Sequence, residues 1–73
     1  RKDDIPLLIS HFVEVLSKEQ GLEKKTFSDE AQEKLSNYPW TGNVRELRNV
    51  VERLLILGDD PISSLNIDQF APK

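Results

Sequence analysis

The chain has 73 residues and a net charge of −3, from 10 basic and 13 acidic side chains. It has no cysteine and one histidine, His11, so a disulfide framework is excluded and we expect neither a metal site nor a hydrolytic centre. No apolar run approaches the roughly 20 residues of a membrane span and no signal-peptide pattern opens the chain, so we expect a cytoplasmic protein without membrane contact.

The acidic balance of the composition also disfavours a free-standing nucleic-acid binder, because such proteins normally present a basic face. A domain of this size buries only about 60% of the surface of its unfolded chain, so we expect a neighbouring domain to stabilise it. The sequence begins at Arg1 rather than at a methionine. We therefore interpret residues 1–73 as a single domain from a longer protein.

The first predicted helix spans about residues 4–20. Asp4 is placed to cap its start, Pro6 lies in the first turn, where its missing N–H costs nothing, and Gly21 can take the left-handed position after its end. The following apolar residues fall within an arc of about 160°: Ile5, Leu8, Ile9, Phe12, Val13, Val15 and Leu16. This pattern is typical of an amphipathic helix.

The second predicted helix spans about residues 29–37. Ser28 is a favourable N-cap, and Ala31 and Leu35 supply the buried side. In the preceding loop, we expect Leu22 and Phe27 to fix the chain to the core.

The third predicted helix spans about residues 44–57 and follows a stretch that cannot be helical through Pro39 and Gly42. Asn43 is its predicted N-cap, and Glu46 completes a capping-box pattern. The sequence therefore predicts an all-α fold, a small three-helix bundle with a mostly irregular C-terminal tail that holds at most a short turn around residues 66–70.

Arg45 is the candidate binding residue. A cation at the second position of a helix opposes the macrodipole by about 0.3–1 kcal/mol, and the sequence places no carboxylate three or four residues from it. A helix start after a Gly-Asn turn is a reasonable site for an anion, phosphate above all. The alternative, that Arg45 pairs with a carboxylate elsewhere in the bundle, remains open on the residues alone.

The other cations have structural interpretations. Glu52 lies four residues after Arg48, which predicts a surface ion pair. Arg53 lies near the end of the third helix, where a cation suits the dipole.

Some apolar residues invite two interpretations. Trp40, together with Tyr38, could face a ligand or could close one end of the bundle, and we favour the second. Leu7 and Ile56 lie off the apolar stripes of their helices and suggest additional contact surface.

Two segments carry a family resemblance. The run Tyr38-Pro-Trp-Thr-Gly-Asn-Val-Arg-Glu-Leu47 strongly resembles the Trp-Pro-Gly-Asn-Val-Arg-Glu-Leu signature of the sigma-54-dependent bacterial transcriptional activators, the NtrC-like branch of the AAA+ ATPases. The opening Arg1-Lys-Asp-Asp-Ile-Pro-Leu-Leu8 is similar to that family's Arg-x-Glu-Asp-Ile-Pro-Leu-Leu, where the α/β ATPase core passes into its helical lid. Thr41 stands where the family usually has proline, which bears on the stiffness of the loop.

The resemblance implies a lid that closes over ATP held, with Mg²⁺, by the preceding α/β subdomain. Arg45 matches the sensor II arginine, Asn43 and Val44 would border the nucleotide cleft, and Ile5 and Pro6 would touch the adenine. The implied partners are the α/β subdomain, neighbouring subunits of a homo-oligomeric ring, usually a hexamer, and the sigma-54 RNA polymerase. The family also includes regulators of two-component systems.

The resemblance implies that the parent chain is an ATPase. The segment itself carries none of the family's Walker motifs, so we expect no catalytic residue and no hydrolysis in this piece. Two other classes stay open as alternatives. One is a DNA-binding module that reads with its third helix, against which the net charge argues, and the other is a protein-interaction bundle without a nucleotide role.

Overall fold

The computed structural model describes residues 4–40 and 44–71. Within these ranges the chain forms α1 (Ile5–Gln20), α2 (Asp29–Ser36), α3 (Val44–Leu57) and α4 (Ser64–Phe70). The all-α fold class is confirmed, and the first three helices lie where the sequence predicts them. The predicted turn and cap at residues 41–43 lie outside the described residues.

The ends of α1 and α2 follow from local chemistry. Pro6 lies in the first turn of α1, and Gly21 takes the left-handed conformation after its last turn, with φ 66°. The Oγ of Ser28 accepts a hydrogen bond of 3.1 Å from the N–H of Ala31. Asp4 occupies the N-cap position of α1 as predicted, but its side chain makes no capping bond. Its backbone already has helical angles (φ −88°, ψ −15°), whereas a capping side chain typically comes from an extended residue.

The tail contains a fourth helix, α4, where the sequence predicts a mostly irregular segment with at most a short turn. The Oγ of Ser63 accepts from the N–H of Asn66 at 3.3 Å, and the side-chain oxygen of Asn66 accepts from the N–H of Ser63 at 3.1 Å. This is a capping box with asparagine in place of the usual Glu or Gln. The helix has 7 residues, which is too short to show a clear period, and burial of Ile67 in the shared core stabilises it.

The core lies between the helices, with α1 packed chiefly on α3 and α2 on α4. As predicted, Leu22 and Phe27 pack against this core from the loop between α1 and α2. The fully buried large side chains come from α1, α2, α3, α4 and the segment before α4: Leu16, Leu35, Leu47, Val51, Leu54, Ile62 and Ile67. The bundle therefore has a single core to which every helix contributes.

The α1–α2 loop is joined to the α3–α4 connection. The N–H of Ser28 donates to the carbonyl of Ile62 at 2.9 Å, and the N–H of Ile62 donates to the carbonyl of Thr26 at 2.8 Å. The Nζ of Lys25 donates to the carbonyl of Gly58 at 2.8 Å. These bonds hold the C-terminal end of α3 against the loop that precedes α2.

Candidate functional site

The first turn of α3 carries two of the candidate residues. Arg45 is exposed, and Val44 keeps 53% of its surface accessible. Arg45 makes an interaction within the chain. Its assignment to phosphate therefore rests on its position in the helix and on its exposure to solvent. Asn43, the third candidate here, lies outside the described residues.

The rotation of α3 about its own axis is fixed by its buried side. The residues that make up this side are Leu47, Val50, Val51, Leu54 and Leu55. Each keeps at most 4% of its surface exposed, so turning the helix would bring several of them into water at about 25 cal/mol per Å² of apolar surface. Burial of this stripe therefore leaves Arg45 on the side that faces away from the core.

Arg48 anchors the beginning of α3 to α1. Its Nη2 lies 3.0 Å from the Oε1 of Glu19, in the last turn of α1. The sequence predicts Glu52 as the partner of Arg48, but the structure has Glu19 in its place. Glu19 is distant in sequence and comes within reach of Arg48 only because α1 and α3 pack together. The pair shows that the candidate end of α3 lies beside the C-terminal end of α1.

Ile5 and Pro6 lie in the first turn of α1, about 21 Å along the helix axis from Glu19. They therefore lie at the opposite end of α1 from the contact between Glu19 and Arg48. Ile5 is 3% exposed and belongs to the core, so its side chain offers almost no surface to a ligand. Pro6 is half-buried and keeps part of its ring accessible.

The aromatic residues before α3 close one end of the bundle. The Nε1 of Trp40 donates to the carbonyl of Leu35 at 2.6 Å, and the rings of Tyr38 and Trp40 stack with centroids 5.5 Å apart. Both side chains are half-buried against the core. This supports the structural interpretation of Trp40 and fixes the chain that enters α3.

Arg53 also differs from its predicted role at the end of α3. Its Nη1 donates to the carbonyl of Phe70 at 3.1 Å, in the last turn of α4. The sequence does not predict this hydrogen bond, because it does not predict α4. Arg53 therefore links α3 to α4.

A groove of about 360 Å³ lies between α1 and the loop before α2, lined by Ile9, Val13 and Phe27 among others. Another, of about 250 Å³, runs along α3 beside Ile56 and Leu57. Neither is lined by the candidate residues. Among the described residues, no group of three His, Cys, Asp or Glu side chains could hold a metal ion, and no helix there is long and apolar enough to cross a membrane.

The chain is similar to known proteins over almost its whole length. A family model described as the AAA+ ATPase lid domain matches residues 1–72. An NtrX-like response regulator of Rickettsia typhi is 50% identical over 72 residues, which are 99% of this chain and 15% of that protein. The DNA-binding transcriptional regulator NtrC of Rhizobium meliloti is 53% identical over 57 residues, which are 78% of this chain and 12% of that protein.

The crystal structure of NtrX from Brucella abortus in complex with ADP has a TM-score of 0.80 and 35% identity, over 99% of this chain and 17% of the NtrX chain. The complex of the same protein with ATP gives the same TM-score and identity over 16% of its chain. The chain thus spans about a sixth of the length of this NtrX.

The chain belongs to the AAA+ ATPase lid family. Within it, the predicted membership of the NtrC-like branch of transcriptional activators is confirmed.

Proposed function

We propose that residues 1–73 form the helical lid of a sigma-54-dependent activator and that Arg45 senses the phosphates of ATP. The observation that carries the proposal is the position of Arg45: it occupies the exposed side of the first turn of α3, within the Gly-Asn-Val-Arg-Glu-Leu signature. A guanidinium beside the free N–H groups of a helix start suits a phosphate group. The NtrX relative crystallised with ADP and with ATP supports nucleotide binding by the parent chain.

The other candidates take lesser roles in this proposal. Val44 is exposed next to Arg45 and borders the cleft together with Asn43. Pro6 offers a partly accessible ring to the adenine, whereas the buried Ile5 acts by holding Pro6 in place. The α/β subdomain holds ATP and its Mg²⁺ and supplies the hydrolytic groups, so the lid alone is no enzyme.

The contacts around α3 would convert a change at Arg45 into movement of the whole lid. A charge-assisted contact to the γ-phosphate is present with ATP and weakened with ADP. The ion pair of Arg48 with Glu19 joins the start of α3 to α1, and the bond of Lys25 to Gly58 joins its end to the loop before α2. When the contact between Arg45 and the γ-phosphate changes, the whole bundle therefore moves as one rigid body.

In the assembled protein, a cytoplasmic ring of such subunits, a hexamer in this proposal, uses that movement to remodel the sigma-54 RNA polymerase and activate transcription. The lid contacts the α/β subdomain and the neighbouring subunits, and makes no direct contact with nucleic acid.

The test uses the complete parent chain with Arg45→Ala and Arg45→Lys, and with Lys18→Ala as the control, an exposed cation at the end of α1. Loss of one donor to the developing charge lowers hydrolysis by roughly 10²-fold. Arg45→Lys keeps the positive charge but loses the bidentate geometry of the guanidinium. We therefore expect its rate of ATP hydrolysis to lie between those of the wild type and Arg45→Ala. Light scattering verifies assembly, and unchanged hydrolysis and ATP affinity in Arg45→Ala would return Arg45 to the role of a structural ion-pair partner.

A further inference from the structure

One side of α3 faces away from the core along its whole length. Steps of 100° per residue place Asn49 about 40° and Ile56 about 20° from Arg45 around the axis. All three are exposed, as is Arg53. We call these four residues the outer face of α3.

The outer face changes character along the helix. At its beginning it is basic and polar, with Arg45 and Asn49. About 16 Å further along the axis it becomes apolar, where Ile56 is 54% exposed and the adjoining Leu57 is 56% exposed. These two side chains line the groove of about 250 Å³, with Glu52 and Arg53 beside them.

The orientation of Arg45 decides what this apolar end meets. If Arg45 reaches the phosphates of ATP, then the outer face must be turned toward the body that holds the ATP. Since α3 is a single helix of 14 residues with its rotation fixed by the core, Ile56 is turned toward that same body.

We propose that the groove beside Ile56 and Leu57 is a docking site for the α/β ATPase subdomain of the same parent chain. An apolar side chain of that subdomain fills the groove, and charged groups at its edge pair with Glu52 and Arg53, which present both signs of charge. The inference rests on the proposed function of Arg45, because that function sets the direction of the outer face.

The groove would form the second of two contacts between lid and ATPase body. The contact through Arg45 requires a phosphate and changes with the nucleotide. The apolar contact requires none and persists when the nucleotide leaves. Docking at Ile56 therefore provides a pivot about which the Arg45 end of α3 moves.

The experiment places a single cysteine at Ile56 in the complete parent chain and measures its alkylation rate, resolved by peptide mass spectrometry. Leu65→Cys is the matched control, because Leu65 is an equally bulky apolar residue, 70% exposed, but lies on α4. Each native rate is divided by the rate of the same cysteine in denaturant. Protein is kept dilute enough that light scattering shows monomers.

Relative to the rates in denaturant, we expect alkylation of Ile56→Cys to be slowed at least about tenfold more than alkylation of Leu65→Cys. A docked residue reacts only when its contact opens. Equal slowing of the two cysteines would overturn the docking site. The measurement is repeated at a concentration at which light scattering shows the ring. Slowing that appears only there would also overturn the docking site, because the occupant would then be a neighbouring subunit.

Addition of ATP separates this inference from the function on which it rests. We expect protection of Ile56→Cys both with and without ATP, and loss of hydrolysis in Arg45→Ala. An unprotected Ile56→Cys alongside an inactive Arg45→Ala would refute the docking site alone. A protected Ile56→Cys alongside a fully active Arg45→Ala would refute the phosphate sensor alone.

Discussion

The ammonium group of Lys25 donates a hydrogen bond of 2.8 Å to the main-chain carbonyl of Gly58, across 33 positions of sequence. The carbonyl belongs to the end of α3, where the helix dipole is negative and the last carbonyls lack partners within the helix. A cation from the α1–α2 loop therefore satisfies the end of the helix whose beginning carries Arg45.

Lys25→Ala removes this bond and leaves a partly buried carbonyl without its partner. We expect a loss of about 1–2 kcal/mol in the free energy of unfolding, measured by urea titration. Lys24→Ala is the matched control, because Lys24 pairs with Glu14 and both side chains are more than half exposed. An exposed pair of that kind contributes at most about 1 kcal/mol, so equal losses in the two variants would contradict the assignment.

Asn66 is the buried polar residue on which the α3–α4 connection depends. Its Oδ1 accepts from the N–H groups of Asp59 and Ser63, at 3.0 and 3.1 Å, and it is 4% exposed. Asn66→Ala leaves both donors without this acceptor, and we expect a loss of about 2–3 kcal/mol by the same titration. Gln69→Ala, at an exposed position of α4, should change stability by less than about 0.5 kcal/mol.

A variant of Asn66 that keeps its shape separates the acceptor from the donor. Asn66→Asp retains the oxygen but loses the bond that Nδ2 donates to the Oδ2 of Asp59 at 3.2 Å. It also sets two carboxylates against each other, so we expect a loss at neutral pH that lessens as acid protonates one of them. A loss that does not change with pH would argue against this contact.

Ser17 in α1 has a buried hydroxyl that finds no hydrogen-bond partner among residues 4–40 and 44–71. Because an unsatisfied buried polar atom carries a desolvation cost and alanine is the better helix former, Ser17→Ala should stabilise the fold by up to about 1 kcal/mol. Ser28→Ala removes the N-cap of α2 instead, and should cost about 1 kcal/mol. Thermal unfolding followed by circular dichroism distinguishes the two signs, and destabilisation by Ser17→Ala would reveal a partner for its hydroxyl.

Trp40, the single tryptophan of the chain, reports on the segment that enters α3. Trp40→Phe keeps an aromatic ring beside Tyr38 but removes the donor to Leu35, so we expect a loss of about 1 kcal/mol. Trp40→Ala also removes the packing of the ring and should cost more, about 3 kcal/mol. If both substitutions were neutral by denaturant titration, the ring would not be closing the end of the bundle.

Local chemistry accounts for the parts of this protein that were predictable. Apolar periodicity located α1 and α3, and short-range signals at Ser28 and Gly21 located helix ends, because each depends on residues within a few positions of one another. The signature around Arg45 was visible for the same reason, and so was the off-stripe position of Ile56, which the structure places in a groove on α3.

Contacts between residues distant in sequence were not predictable. Arg48 pairs with Glu19 rather than with Glu52, and Arg53 binds the carbonyl of Phe70, because helix packing brings in partners that outcompete the local ones.

The sequence by itself determined the all-α class, three of the helices, the family and the arginine assigned to phosphate, since local propensity and a contiguous motif carry that information. Only the tertiary structure decided the fourth helix, the pairing of Arg48 with Glu19 and the outward direction of Arg45. Each of these depends on which surfaces are buried when the helices pack. That burial is a property of the whole chain, and no short segment of it encodes the result.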